Sequence, residues 1–203
     1  MGGGSLADTH YREALNALLT STFIPLGYKL TEKITLDSVP ESSKYEGLVC
    51  SLNDKKYVYR KGHVTPDRPG AFLAVWQRPA SAIINSNKPI PLSANELDYL
   101  LVKVDAHSGL NDSGEPLNNC KSGMFVFPIS VLIKKGIVSS EATKGKTGFR
   151  VFPPWSQDRG VAGTQVFSES GKKTQRWQSS YFLAIGEDGL MDAEELKKIL
   201  SLG

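Results

Sequence analysis

Cysteine is nearly absent from this chain: its 203 residues hold two, Cys50 and Cys120. That is too few for a disulfide framework at this length. Histidine is as scarce. His10, His63 and His107 stand singly, so no Cys/His group has zinc-site spacing and no metal site is expected. Cys50 lies in the apolar run Leu48-Val49-Cys50 and reads as a small buried hydrophobe. Long hydrophobic runs are missing too. A membrane span needs roughly 20 apolar residues, and the best candidate, residues 124–133, is interrupted by Pro128 and Ser130. No basic-then-apolar leader opens the chain. Met1-Gly2-Gly3-Gly4-Ser5 reads as a tag-like leader ahead of one domain over residues 6–203. These absences point to a cytoplasmic protein with no membrane partner. They leave the oligomeric state open.

A large excess of one charge is lacking as well, since the net charge is +3, but its distribution is uneven. Residues 51–78 hold six Lys/Arg against two Asp/Glu, and residues 144–178 hold seven against two, while the remaining stretches are net acidic. Two basic segments in a near-neutral chain suit a surface that faces a polyanion. A nucleoside-triphosphate loop is excluded. Gly145-Lys146-Thr147 has Ser140 where the pattern needs its first glycine, and Gly148 opens a strand where a helix should follow. What is present is ordinary globular material: 40 % apolar residues, enough for a core, and 22 % charged.

Along the chain, residues 9–22 have helical spacing, with Asp8 as N-cap and Pro25 and Gly27 just beyond. Ser43-Lys44-Tyr45-Glu46 is a capping-box pattern leading into an extended run at 48–52. Asn53-Asp54 marks a turn. Residues 57–64 then read as one strand, with Tyr57, Tyr59, Lys61 and His63 on one face. Basic and aromatic residues interleaved in this way suit a sheet face meeting single-stranded nucleic acid. A loop at 66–70 and a strand at 71–77 complete an expected hairpin, and 80–95 reads as irregular. Residues 97–104 form the most hydrophobic strand, expected at the centre, followed by a polar loop insertion at 105–122. A strand at 124–127 leads into a helix at 129–135, with Pro128 in its first turn and Gly136 as C-cap. A strand at 148–152, a loop at 156–171 and a helix at 175–185 follow. Asp192 opens a terminal helix within 190–203, with Leu196, Ile199 and Leu200 facing inward.

Three dense motifs stand out. The first is Gly123-Met124-Phe125-Val126-Phe127-Pro128-Ile129-Ser130-Val131-Leu132, ending at Gly136-Ile137. The second is Gly148-Phe149-Arg150-Val151-Phe152-Pro153-Pro154-Trp155, and the third Lys173-Thr174-Gln175-Arg176-Trp177-Gln178 with Tyr181-Phe182. In this order, with Tyr45-Glu46-Gly47 and Trp76 upstream, they resemble the MepB-like family over roughly residues 45–185. The element order gives an α/β (α+β) fold class. The resemblance implies a central mixed β-sheet flanked by helices, related to the restriction-endonuclease-like core. It also implies a bacterial origin and, in one branch, association with a multidrug-efflux operon. It implies no particular reaction.

Nucleic-acid binding is the leading expectation. Its candidate contacts are Arg60, Lys61 and Arg78 on the hairpin with Arg150, Trp155, Lys173, Gln175 and Arg176 in the later motifs. Arginine suits phosphate recognition because its planar guanidinium donates in pairs, and Trp155 could stack a base. The alternative is a divergent Mg²⁺-dependent nuclease. Such chemistry needs carboxylates for the cation and a basic group beside it. Glu46 and Asp98 are the candidate acids, with Gln77 and Arg78 supporting, although no second acid stands in Trp76-Gln77-Arg78. For Glu46, a capping role toward the Ser43 backbone competes. Only the nuclease reading implies a cofactor, Mg²⁺. A third reading is a non-catalytic small-molecule or protein-binding module linked to multidrug efflux, with Trp76, Trp155 and Trp177 around a pocket.

Overall fold

The computed structural model describes residues 6–37, 45–77, 88–106, 121–158 and 165–203. Its strands are β1 (Leu30–Leu36), β2 (Leu48–Leu52), β3 (Lys55–Lys61), β4 (His63–Thr65), β5 (Arg68–Ala74), β6 (Trp76–Gln77), β7 (Ile90–Pro91), β8 (Tyr99–Asp105), β9 (Ser122–Pro128), β10 (Gly148–Val151) and β11 (Phe182–Ile185). Its α-helices are α1 (Leu6–Leu18), α2 (Ile129–Lys134), α3 (Glu169–Gln178) and α4 (Ala193–Leu200). No described helix is long and apolar enough to cross a membrane.

The central sheet is mixed and has the order β1-β2-β3-β8-β9-β11. Every junction in it is antiparallel except β3–β8. The expected central strand is there. Leu100, Leu101, Val102 and Val104 on β8 are all fully buried, the continuous apolar run of a strand covered on both faces. Asn53 and Asp54 both have positive φ, as a two-residue primed turn between β2 and β3 requires.

One face of the sheet packs against α1 and α4. Tyr57 and Tyr99 stack at 4.8 Å between ring centres, and Phe23, from the π-helical turn that continues α1, meets Tyr57 edge-on at 5.9 Å. Leu196, Ile199 and Leu200 of α4 close this face as expected, and Asp192 caps the helix by accepting from the Glu195 N–H at 2.9 Å. Cys50 is buried here, and burial pushes its thiol pKa up to about 12, so it stays protonated and unreactive. The opposite face packs against a second sheet, β10-β5-β4, together with α2 and α3. Pro128 is the N-cap of α2, and Gly136, at φ 63, follows its last turn in the left-handed conformation.

Several expectations need correction. The strand expected at 57–64 divides at Gly62, where the chain passes from the first sheet to the second. A Cβ at Gly62 would lie 3.1 Å from both Ala71 Cβ and Val104 Cγ1, so the crossing is tight. Tyr57 and Tyr59 are buried under α1 and offer no stacking face to solvent. α1 begins earlier than expected and Asp8 lies inside it. Asp105 and Ser122 are not loop residues: they pair as the last and first residues of the β8–β9 hairpin. The helix expected at 175–185 is three elements. α3 starts at Glu169 under a Ser168 cap, a 3₁₀ turn spans Ser179–Tyr181, and Phe182–Ile185 is an edge strand on β9. The helical spacing of Trp177 and Tyr181 holds for one turn only. Ser43 of the capping-box pattern and residues 107–120 of the insertion lie outside the described residues.

Candidate functional site

The three dense motifs converge on the second face of the sheet. Phe127 of the first lies 6.2 Å from Phe149 of the second and 5.6 Å and 5.9 Å from Trp177 and Tyr181 of the third, between ring centres. Buried Gln178 joins the last two motifs: its Oε1 accepts from the Phe152 N–H at 2.8 Å and its Nε2 donates to the Arg150 carbonyl at 3.0 Å.

Over this junction runs a groove made of two depressions, of about 350 and 260 Å³, that share Arg150, Phe152 and Thr174. Arg68 lines the first and Lys135 and Lys146 the second, and among the described residues no acidic side chain lines either. Phe149 and Trp177 form apolar wall, with the Lys135 ammonium 5.1 Å above the Trp177 ring. Arg150 is held rigidly, donating to Thr65 Oγ1 at 2.7 Å and the Pro69 carbonyl at 3.2 Å. Its role as a brace is therefore present, and its charge still borders the groove. On α3, Gly171, Thr174 and Trp177 line the groove, which puts Lys173 at its rim and Arg176 round toward solvent. Gln175 donates to the Pro153 carbonyl at 3.0 Å. Trp155 sits elsewhere, edge-on to Phe182 at 5.6 Å and beside a separate cleft of about 270 Å³ with Asp105 and Lys121.

Other candidates are placed differently. Arg60 is 2 % exposed, ion-paired with Asp37 and bonded to the Tyr59 carbonyl, so it cannot meet a polyanion. Its neighbour Lys61 faces the opposite side of the sheet, toward carboxylates. Gln77 donates to Glu96, whose carboxylate also accepts from the Ser93 N–H at 2.9 Å, a local brace of β6 against β7. Asp98 accepts from the Lys56 N–H at 2.8 Å at the start of the parallel β3–β8 pair. Glu46 lies near its end, about 20 Å away along a seven-residue strand. The structure therefore does not bring Glu46 and Asp98 together. Arg78 lies outside the described residues.

What does gather at the far end of β3 and β8 is a charge-balanced quartet. Lys61 and Lys103 are register partners across the parallel pair, so their ammonium groups share a face. Like charges so placed repel, and two carboxylates separate them. Lys61 Nζ is 3.3 Å from Glu46 Oε1 and 3.5 Å from Asp105 Oδ2, while Lys103 Nζ is 3.0 Å from Asp105 Oδ1. Ser122 donates to the same oxygen at 2.8 Å. Glu46 stands at φ 50, a left-handed conformation that costs a non-glycine residue about 1–2 kcal/mol. Lys103-Val104-Asp105 holds the signal for this cluster, since alternation puts both charges on one face, and the strand expected at 97–104 stops one residue short of it.

The described residues do not fit a resident Mg²⁺. Among the described residues no three His, Cys, Asp or Glu side chains come together. The two carboxylates that do approach one another are already engaged by ammonium groups.

Burial alone would raise the Asp105 pKa, but Lys103, Ser122 and Lys61 together bring it below the ordinary carboxylate value. Burial works against the Lys61 ammonium, and Glu46 and Asp105 outweigh it, raising its pKa. The stabilisation from Asp105 is thus present above its unfolded pKa, near 3.9, and lost as pH falls through the lower folded value. That from Lys61 is present below its unfolded pKa of about 10.4 and lost as pH rises through the higher folded one. Asp105→Asn should therefore show a constant stability deficit from about pH 5 to 9 that closes on acidification below about 4. Urea midpoints across pH measure this, and a deficit unchanged at pH 2–3 would remove the electrostatic account.

A family model described as MepB-like matches residues 39–184. Among solved structures, one titled as the crystal structure of MepB is 27 % identical, covering 77 % of this chain and 87 % of that one, with a TM-score of 0.58. The bacterial homing endonuclease I-Ssp6803I is 11 % identical, covering 88 % of this chain and 97 % of its own, with a TM-score of 0.39. No curated protein matches the chain. Since the family model spans well over half of the sequence, including all three motifs at the groove, the chain belongs to the MepB-like family.

Proposed function

We propose that this protein binds nucleic acid along the groove beside α3. The observation that carries the reading is the lining. Arg68, Lys135, Lys146 and Arg150 border two joined depressions that, among the described residues, no acidic side chain lines, and aromatic surface lies between the charges; the exposed Asp67 carboxylate lies 3.7 Å from Arg68 Nε. The cations supply sequence-independent attraction to phosphate, and Phe149 and Trp177 give bases something to stack on. The N-terminal turn of α3 opens on the same groove and adds its partial positive charge. Mg²⁺ has no part in this reading.

The test is fluorescence anisotropy with labelled single- and double-stranded DNA and RNA, over a salt series, in EDTA and in Mg²⁺. Binding should weaken steeply with salt, each phosphate contact contributing roughly 0.7–0.9 to the log–log slope. It should be the same in EDTA. Lys146→Ala should weaken all sequences about equally and reduce the slope by about one contact. Absence of binding at low salt would remove the proposal.

A further inference from the structure

We propose that Lys61 occupies the place of a divalent cation between Glu46 and Asp105, so that the end of the β3–β8 pair is a metal-free site locked by an internal ammonium group. The geometry is that of a built bridge. One Nζ reaches a carboxylate oxygen on each side, at 3.3 and 3.5 Å, and the side chains are held at 31 % exposure for Lys61 and 25 % and 28 % for the acids. The acids come from separate elements. Glu46 is in the turn before β2 and Asp105 ends β8, so only the lysine from β3, the strand between, joins them.

Charge decides what the site accepts. With Lys61 and Lys103 both cationic, the quartet is neutral, and a divalent ion would add two uncompensated charges next to two ammonium groups. A hard cation also needs the carboxylate oxygens pointing at itself, and here lysine ammonium groups hold Glu46 Oε1 and both oxygens of Asp105. Removing Lys61 leaves a net charge of −1, and removing Lys103 as well leaves −2, with the two carboxylates still delivered to one face by the same backbone pairing. The lock is thus a property of side chains and can be lifted without rebuilding the sheet. It is independent of the groove, which lies on the other face.

The experiment is Mn²⁺ titration followed by electron paramagnetic resonance, on the wild-type protein, Lys61→Ala, Lys61→Gln and Lys61→Ala/Lys103→Ala. The wild type should show no saturable Mn²⁺ binding below about 1 mM, the weak end of protein carboxylate sites. Each Lys61 variant should bind at least tenfold more tightly, the double variant more tightly again, and Glu46→Gln in the Lys61→Ala background should abolish the gain. Saturable binding by the wild type that Glu46→Gln removes would overturn the proposal, whatever the folding of the variants. So would folded Lys61 variants that gain nothing.

Discussion

Asp37→Ala will cost about 3–5 kcal/mol of folding stability, far more than the loss of a surface ion pair. Asp37 follows β1 and its side chain is 12 % exposed, while its partner Arg60 on β3 is 2 % exposed. Burial lowers the Arg60 pKa and Asp37 works against that shift, yet a guanidinium stays protonated at any ordinary pH. Removing Asp37 therefore leaves a buried cation without its carboxylate rather than a neutral side chain. The converse comparison isolates this cause. Replacing both partners, as Asp37→Leu with Arg60→Met, removes the uncompensated charge and should recover most of the loss, because a well-packed apolar pair of similar volume replaces a buried ion pair at little cost. Chemical denaturation of the two variants checks the prediction. In a chain of this size 1 kcal/mol moves the melting temperature by roughly 2–4 °C, so the single variant should melt at least several degrees lower. A double variant as unstable as the single would mean that Asp37 acts through something other than the charge of Arg60.

The same ion pair shows where sequence reasoning reached and where it stopped. Arg60 was legible as a basic residue on a strand, and its side followed from alternation. What it faced was not legible, because Asp37 reaches it only through the β1–β2–β3 meander, and β1 itself is faint. Of its seven residues only Ile34 is buried, so an edge strand with polar side chains carries no alternation to detect. The elements that were legible had strong local chemistry: the fully apolar β8, the Pro128 and Gly136 punctuation of α2, and the Asp192 cap of α4. The split of α3 from β11 was not. Phe182 leaves the helix because its ring lies over Gly123, where a Cβ would come within 2.2 Å of it, a contact far away in sequence. The quartet was half legible. Glu46 and Lys61 could be named, but the parallel pairing that brings Lys103 and Asp105 beside them is written in no local pattern. The groove was better served, since Arg150 and Lys173 were named from motifs that do converge, while Arg68 joins them through β5 of the second sheet, Lys135 from the end of α2 and Lys146 from the loop before β10.

Gln178→Leu will cost about 2–4 kcal/mol, although it replaces a polar side chain in the core by an apolar one of similar size. β10 is the edge of the second sheet, pairing with β5 on one side only. Its outer edge presents the Arg150 carbonyl and the Phe152 N–H, and both are bonded to the Gln178 amide, which behaves as a short piece of neighbouring strand. Leucine would leave one buried acceptor and one buried donor unmatched, each costing about 1–3 kcal/mol. Gln178→Glu separates this account from simple packing. Its ionised carboxylate could accept from Phe152 but not donate to Arg150, whereas its protonated form could do both. The glutamate variant should therefore be strongly destabilised at pH 8 and approach the wild type on acidification toward pH 5, the same direction as Asp105→Asn but in a higher pH window. Urea midpoints with amide hydrogen exchange at Phe152 provide the measurement, the Phe152 amide losing protection first in the leucine variant. Equal destabilisation of the glutamate variant at both pH values would show that Gln178 fills space rather than pairing the strand edge. Since this amide also seats α3 on β10, its loss should loosen the wall that carries Thr174 and Trp177, and nucleic-acid affinity should fall with it even though Gln178 itself is buried and does not line the groove.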